Sequence, residues 1–435
     1  LPTITGGPTA GQTLSASSGD WTGTPTPTYA YQWQRCSITG PGCIDLAGQT
    51  AASYLAVAAD VGCPLLVVVT ATNALGSAFA ASLRTAMIAA PPAPGTFAAK
   101  IDYPSGTSPF AVAVADVNLD GKPDLVLANY NADTLSVLLG NGDGTFGAKI
   151  DYATSVGPEA VVVGDFNGDG KPDLAAPCYG AAGVSVLLGN GDGTFALRAD
   201  YPTALKPQAL AVGDLNADTK LDLVAASYGG NSVSVLLGNG DGTFAARADY
   251  ATGSRPEGVA VGDFNGDGKA DLAAANAVSG SVSVLLGVGD GTFAAKTDYP
   301  TGSLPGGVAV GDFNGGGAPD LAVLNSTSDT VSVLLGVGDG TFAAKVDYAS
   351  GASPKSVAVA DLNLDGKLDL AVANFGANSV SVLFGNGDGT FAAKIDYGTG
   401  GSPIAVAATD LNADGRPDLV VANDGGNSVS VLIGN

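Results

Sequence analysis

The sequence predicts an all-β fold: a seven-bladed β-propeller of four-stranded blades, closed by strand exchange and preceded by a smaller β-sandwich. Three observations carry this reading. Glycine (64) and proline (24) abound while only 14% of the 435 residues are charged, a composition of short strands and many turns. An acidic nine-residue segment recurs seven times at a constant step of 49 residues. Residues 1–90 lack that period and hold both tryptophans and three of the four cysteines.

The sandwich comes first in the chain. Runs 29–34 and 65–71 alternate or are apolar throughout, as strands do. Cys36 and Cys43 flank a Gly-Pro-Gly turn that can bring them within bridging distance, so a Cys36–Cys43 disulfide and an oxidising compartment are expected. Cys63 and Cys178 have no evident partner and read as buried free thiols. Tyr31-Gln32-Trp33-Gln34-Arg35-Cys36, followed by Asp60-Val61-Gly62 and Val67-Val68-Val69-Thr70-Ala71, resembles the bacterial Ig-like domains found in tandem on secreted proteins. Pro91-Pro92-Ala93-Pro94 then reads as a stiff linker.

The repeat occupies residues 95–435. Asp-x-Asn-x-Asp-Gly-Lys-x-Asp, or a close variant, begins at Asp116, Asp165, Asp214, Asp263, Asp312, Asp361 and Asp410, with no insertion between copies. In the first copy, 111–117, 124–130, 135–140 and 145–152 are alternating or apolar runs bounded by Gly, Asn, Asp or Pro, and each reads as a short strand. Asn-Gly-Asp-Gly between the last two is a hairpin signal. Four strands in roughly 40 to 50 residues mark a propeller blade. The array opens in mid-unit, with a lone fourth-type strand at 97–103, and stops after a third-type strand. The fragments complement each other, so the early strand is expected to complete the last blade and cover two sheet edges at once.

Within each acidic segment, side-chain oxygens stand at positions one, three, five and nine, a backbone carbonyl is available at seven, and glycine at six supplies the sharp turn. A hard cation wants six to eight such oxygens, which is the logic of a calcium loop. An EF-hand would need flanking helices and a Glu at position twelve, and both are missing. Together with the recurring Gly-Asp-Gly-Thr-Phe, these loops resemble FG-GAP (VCBS) repeats, best known from the integrin α-subunit propeller. The resemblance implies about six structural calcium ions on the lower face, each between the first and second strands of a blade. The first would be held by Asp116, Asn118, Asp120, the carbonyl of Lys122, and Asp124, and the second by Asp165, Asn167, Asp169, Lys171 and Asp173. The third would use Asp214, Asn216, Asp218, Lys220 and Asp222, despite Thr219 in place of the glycine. Asp263, Asn265, Asp267, Lys269 and Asp271 would form the fourth. Asp361, Asn363, Asp365, Lys367 and Asp369 would form the sixth, and Asp410, Asn412, Asp414, Arg416 and Asp418 the seventh. The fifth has Gly316 where the central carboxylate should be; with only Asp312, Asn314 and Asp320 left, it is expected to be weak or empty.

Composition narrows the function. The formal charge is -23, which argues against nucleic acid and anionic membrane as partners. The absence of histidine removes Ser-His-Asp and Cys-His chemistry and His-ligated zinc. The longest apolar run, 65–69, falls far short of the roughly 20 residues of a membrane helix, so membrane insertion is not expected. The chain opens at Leu1-Pro2-Thr3 without an initiator Met, as a processed product would.

Ligand candidates lie on the upper face, where the repeats differ. Loops leaving the second strand carry Tyr130, Asn131, Asp133, Tyr179, Tyr228, Asn231, Phe375, Asn378, Asp424 and Asn427; those leading into the first carry Glu159, Lys206, Gln208, Arg255, Glu257 and Lys355. Tyr130, Tyr179, Tyr228 and Phe375 can stack on a sugar ring or pack on neighbouring blades. The family resemblance implies protein partners on this face, as in integrins, or sugars, as in related fungal lectins. The expectation is a calcium-stabilised extracellular or cell-surface adhesion module for carbohydrate or a surface protein. A self-associating structural subunit is the alternative. A polysaccharide lyase is disfavoured, because no carboxylate pair or basic cluster breaks the repeat in one place.

Overall fold

The computed structural model describes residues 1–37, 42–90 and 95–435. The linker 91–94 and the Gly40-Pro41 part of the early turn lie outside the described residues. The chain divides into two compact units, Leu1–Ala93 and Pro94–Asn435. No described helix is long and apolar enough to cross a membrane.

In the first unit an antiparallel sheet runs in the order Cys43–Asp45, Thr28–Cys36, Leu65–Asn73, Gly76–Ala81, and a smaller one joins Ile4–Thr5, Thr13–Ala16 and Ser53–Leu55. Trp33, Val67 and Val69 from the larger sheet share one core with Leu14 and Tyr54 from the smaller, so the two pack face to face. The Trp33 indole N–H donates to the Ala51 carbonyl (3.0 Å), which lets the ring sit fully buried without an unpaired donor. Asp60 is equally buried. It accepts from Arg35 (2.7 Å), the Tyr54 hydroxyl (2.8 Å) and the Val57 N–H (2.8 Å), which replace the water it has lost. Cys36 and Cys43 are register partners and form a disulfide. Cys63 and Cys178 are free; Cys178 is buried, whereas Cys63 is only half-buried, contrary to the sequence reading.

The second unit contains seven four-stranded antiparallel sheets of one design. The first comprises Pro109–Ala115, Asp124–Asn129, Thr134–Leu138 and Ile150–Ala153. Second strands are buried at every position, because both of their faces are covered by neighbouring sheets. Thus Val126 and Ala128 pack with Leu174 and Ala176 of the second sheet, while Leu125 and Leu127 pack with Val420 and Ala422 of the last. The sheets therefore close on themselves. The last sheet takes its fourth strand, Ile101–Pro104, from the start of the repeat region, where it pairs with Ser428–Leu432. Phe97 bridges Gly434 just beside it.

The fourth strand differs from expectation in where it begins. The sequence reading starts it at 145, but only Phe146 bridges Gly140 there, and continuous pairing resumes at Ile150 opposite Val137, one residue out of register. The interruption follows Phe146, since the Gly147 N–H still donates to Leu139 (2.8 Å); the turn before it is held by Asp143, whose carboxylate accepts from both the N–H (3.0 Å) and the hydroxyl (2.6 Å) of Thr145.

Two recurrent features hold the sheets internally and to each other. In the first sheet the buried Asn129 amide donates to Ser136 (2.8 Å), whose hydroxyl donates to Asp151 (2.5 Å), which in turn pairs with Lys149. Lys149 is thus the outer end of a polar ladder across the sheet. Between sheets, Tyr152 meets Phe195 edge-to-face at 5.2 Å, and its hydroxyl donates to the Gly193 carbonyl (3.1 Å).

Candidate functional site

The strand order separates two kinds of loop. Asn129 at the end of a second strand pairs with Pro109 at the start of the first, so the acidic loops lie at one end of the sheets and the tyrosine-bearing loops at the other.

Each acidic loop is organised by its own backbone donors. In the first, the N–H of Asp120 donates to Asp116 (3.0 Å) and Asn118 (3.1 Å), that of Gly121 to Asp116 (2.7 Å), and that of Lys122 to Asp120 (3.0 Å). Asp124 is different. It is fully buried and joins three strands, accepting from Val117 (2.9 Å) and from Gly140 (2.7 Å) in the next hairpin. Burial pushes its carboxyl above the usual range against these two N–H groups, and the nearby Asp120 and Asp116 add to the rise. Asp173, Asp222 and Asp271 behave alike, and burial carries Asp369 and Asp418 up to about 6. Among the described residues no three acidic side chains close into one metal-holding group. The donor set is nevertheless one a hard cation fits: oxygens only, preset by N–H bonds, on a loop short enough to wrap.

The two variant loops resolve differently. Thr219 keeps the turn by adopting φ 70°, its N–H donating to Asp214 (2.8 Å). In the fifth loop Gly316 donates to Asp312 (3.0 Å) and Asn314 (2.6 Å), and the Asn314 amide turns to donate to the buried Asp320 (3.3 Å). That loop satisfies its own carboxylate from within.

At the opposite end three of the four aromatic candidates come together. Tyr130, Tyr179 and Tyr228, from successive sheets, form a row with ring centroids 6.3 Å apart, and Phe110 stacks on the first at 4.8 Å. Lys206 lies 5.1 Å over Tyr179 and Arg255 5.0 Å over Tyr228. Both cations sit on left-handed backbone, φ 57°, at the threshold of a first strand. Phe375 occupies the matching loop of the sixth sheet, away from this row. Several polar candidates are committed elsewhere: Asp133, Asn231, Asn378 and Asn427 accept the N–H of Gly157 (2.8 Å), Arg255 (2.9 Å), Ser402 (2.7 Å) and Ser108 (2.9 Å) in the following sheet. They are straps between sheets, the last of them joining the final sheet to the first.

A cavity of about 290 Å³ opens where the first strands of all seven sheets begin, lined by Phe110, Glu159, Gln208, Glu257, Gly306, Lys355 and Ile404. These residues occupy one position of the repeat. Burial pushes Glu159 up to about 8, against a hydrogen bond from Gln208; the Glu257 charge adds to the rise and Lys355 opposes it. Glu257 is likewise raised by burial, with Lys355 and Arg255 opposing. This overturns the reading that no cluster breaks the repeat in one place.

The model for an FG-GAP-like repeat matches residues 116–176, 214–274, 269–323, 312–372 and 361–421, more than half of the chain. The chain belongs to the FG-GAP-like repeat family. Four of the five matches begin on the first aspartate of an acidic loop and end inside the second strand of the following sheet, so the FG-GAP-like unit straddles two sheets. No curated protein matches the sequence. Among solved structures, the periplasmic gluconolactonase PpgL of Pseudomonas aeruginosa shares the fold, at TM-score 0.53 and 15% identity over 87% of this chain and 98% of that one. A functionally unknown protein from Desulfotomaculum acetoxidans gives TM-score 0.46 and 13% identity over 82% and 96%.

The sequence places Glu159, Gln208, Glu257 and Lys355 on upper-face loops without joining them in one cavity, although a further signal is present. The residue after the proline that opens each first strand is Phe, Glu, Gln, Glu, Gly, Lys or Ile in turn, inside repeats that are otherwise near-copies.

Proposed function

We propose that this FG-GAP-like chain is a seven-bladed propeller preceded by an Ig-like sandwich, and that it acts outside the cell as a binding module for acidic carbohydrate. The observation that carries this reading is the row of Tyr130, Tyr179 and Tyr228 with Lys206 and Arg255 beside it. Most other cations of the molecule are paired with a nearby aspartate. Lys206 and Arg255 have no carboxylate in ion-pair reach among the described residues. Aromatic faces and edges offer a sugar ring a surface, and unpaired cations on a chain of net charge -23 offer its carboxylates a place to go.

Calcium is assigned in this proposal to the acidic loops at the other end. Positions one, three, five and nine and the carbonyl at seven would hold it, and the ion would supply the charge that offsets crowded carboxylates. No reaction is routed through it. A glycan array run with calcium tests the function: uronic-acid or sialylated glycans should be retained by the intact chain and lost by the Tyr179→Ala, Tyr228→Ala double variant. Retention of neutral glycans alone, or of acidic ones by both proteins, contradicts it. A structural subunit is the second reading, favoured by the use of Asp133, Asn231, Asn378 and Asn427 as straps, and concentration-dependent assembly with a blank array would select it.

A further inference from the structure

We propose that the cavity at the convergence of the seven first strands binds a small zwitterion, an α-amino acid or a molecule of the same pattern, with its ammonium on Glu159, Gln208 and Glu257 and its carboxylate toward Lys355. The site adjoins the tyrosine row at Phe110, which lines the cavity and stacks on Tyr130, but the zwitterion reading does not depend on the glycan reading.

The wall of the cavity is divided by chemistry. Successive sheets contribute Glu159, Gln208 and Glu257, an arc made mostly of acceptors. The Gln208 amide donates to Glu159, which leaves its own Oε1 buried with no hydrogen-bond partner. An unpaired buried acceptor is costly, and a ligand N–H that reaches it relieves that cost. An ammonium brings three donors and the positive charge that two half-buried carboxylates lack. Both carboxyls are raised above their ordinary range in spite of Lys355, so that cation alone does not satisfy them.

Beyond this arc Gly306 leaves a gap. A Cβ there would come within 3.3 Å of Glu257 Oε2, so the absence of a side chain keeps the passage between Glu257 and Lys355 clear. Lys355 is exposed and has no carboxylate in ion-pair reach among the described residues, so it can meet an anionic group. Ile404 and Phe110 close the ring with an apolar arc between Lys355 and Glu159, where an aliphatic side chain can rest. A cavity of about 290 Å³ accommodates a molecule of amino-acid size.

The test is calorimetric titration of the full chain with leucine, isopentylamine, 4-methylpentanoate and glucose. Leucine should bind, the amine about tenfold more weakly, and the acid and the sugar without detectable heat up to about 10 mM. Glu257→Gln should weaken leucine and amine together. Lys355→Met should weaken leucine while leaving the amine unchanged, a split that a merely structural role for Lys355 would not produce. Both variants should remain folded without ligand, unfolding cooperatively, and Tyr179→Ala should bind leucine normally. The proposal falls if no zwitterion binds, if glucose binds as well as leucine, if Lys355→Met weakens the amine equally, or if Tyr179→Ala abolishes leucine binding. The glycan array decides the tyrosine row separately, so the failure of one reading leaves the other standing.

Discussion

Thr219 shows how single residues carry strain in this repeat. Position six of the other acidic loops is glycine at φ between 77° and 82°, and Thr219 is held at φ 70°, a region costly for a β-branched side chain. It stays there because its N–H has the same task as the glycine N–H, donating to the first aspartate. Thr219→Gly should therefore raise stability by about 1 kcal/mol, seen as a higher urea midpoint at unchanged slope, and a lower midpoint would show that the threonine side chain makes a compensating contact. Glu159 yields a second prediction, on pH. Its carboxyl rises from 4.5 to about 8 on folding, so between those values the folded chain holds a proton that the unfolded chain has released. Stability then falls as pH rises through that window, by on the order of a few kcal/mol. The buried loop aspartates add a similar decline, but the two with resolved values, Asp369 and Asp418, finish near 6. The groups facing Glu159 are Gln208, Glu257, Lys355 and Tyr130. Glu159→Gln should flatten the decline between pH 6 and 8 in denaturant titrations; an unaltered slope would move its origin to Glu257.

Loops and strands show why some of the molecule is legible in sequence and some is not. An acidic loop is nine contiguous residues, so the oxygens, the turn glycine and the flanking apolar runs are read in one glance along the chain. The defect of the fifth loop is legible for the same reason, and its geometry adds only the turned Asn314 amide. The fourth strand begins later than the apolar pattern indicates because its pairing shifts by one residue between Phe146 and Ile150, and alternation does not record a register shift. The axial cavity was missed for a different reason: its residues lie one repeat apart, and only the closing of the sheets brings Glu159, Glu257 and Lys355 together. The fifth loop also makes the calcium proposal testable element by element. Gly316→Asp restores the central carboxylate, and because a Cβ there would meet Asn314 Oδ1 at 2.5 Å, Asn314 must swing away from Asp320. The variant should bind one more calcium ion by elemental analysis and be less stable than the parent in chelator but not in calcium. An unchanged ion count would refute the loop assignment, and an unchanged melt of the parent on chelation would refute the structural role of the metal.

At the scale of the whole molecule the decisive contact is the one that joins its two ends. Every other sheet of the second unit draws its four strands from one continuous stretch, but the last borrows Ile101–Pro104 from more than 300 residues before its partner strand Ser428–Leu432. The same segment brings Phe97, nearly buried, edge-to-face onto Tyr397 at 5.2 Å, and the Tyr397 hydroxyl donates to the Gly95 carbonyl (3.2 Å). Ser430 donates to Asp102 (2.6 Å), completing in the last sheet the polar ladder that the others make locally. Local contacts would let the sheets form in any order, yet each buries its faces only against neighbours, so the first and last remain half-covered until this strand docks. Removing residues 95–104 would expose the Ser428–Leu432 edge and uncover Tyr397 together. The truncated chain should lose its single cooperative unfolding transition in calorimetry and associate through the open edge in light scattering, and a synthetic peptide of residues 95–104 should restore both behaviours. A truncated protein that stays monomeric and melts as one unit would mean that the sheets hold their closure without the exchanged strand, and that the straps such as Asn427 to Ser108 suffice.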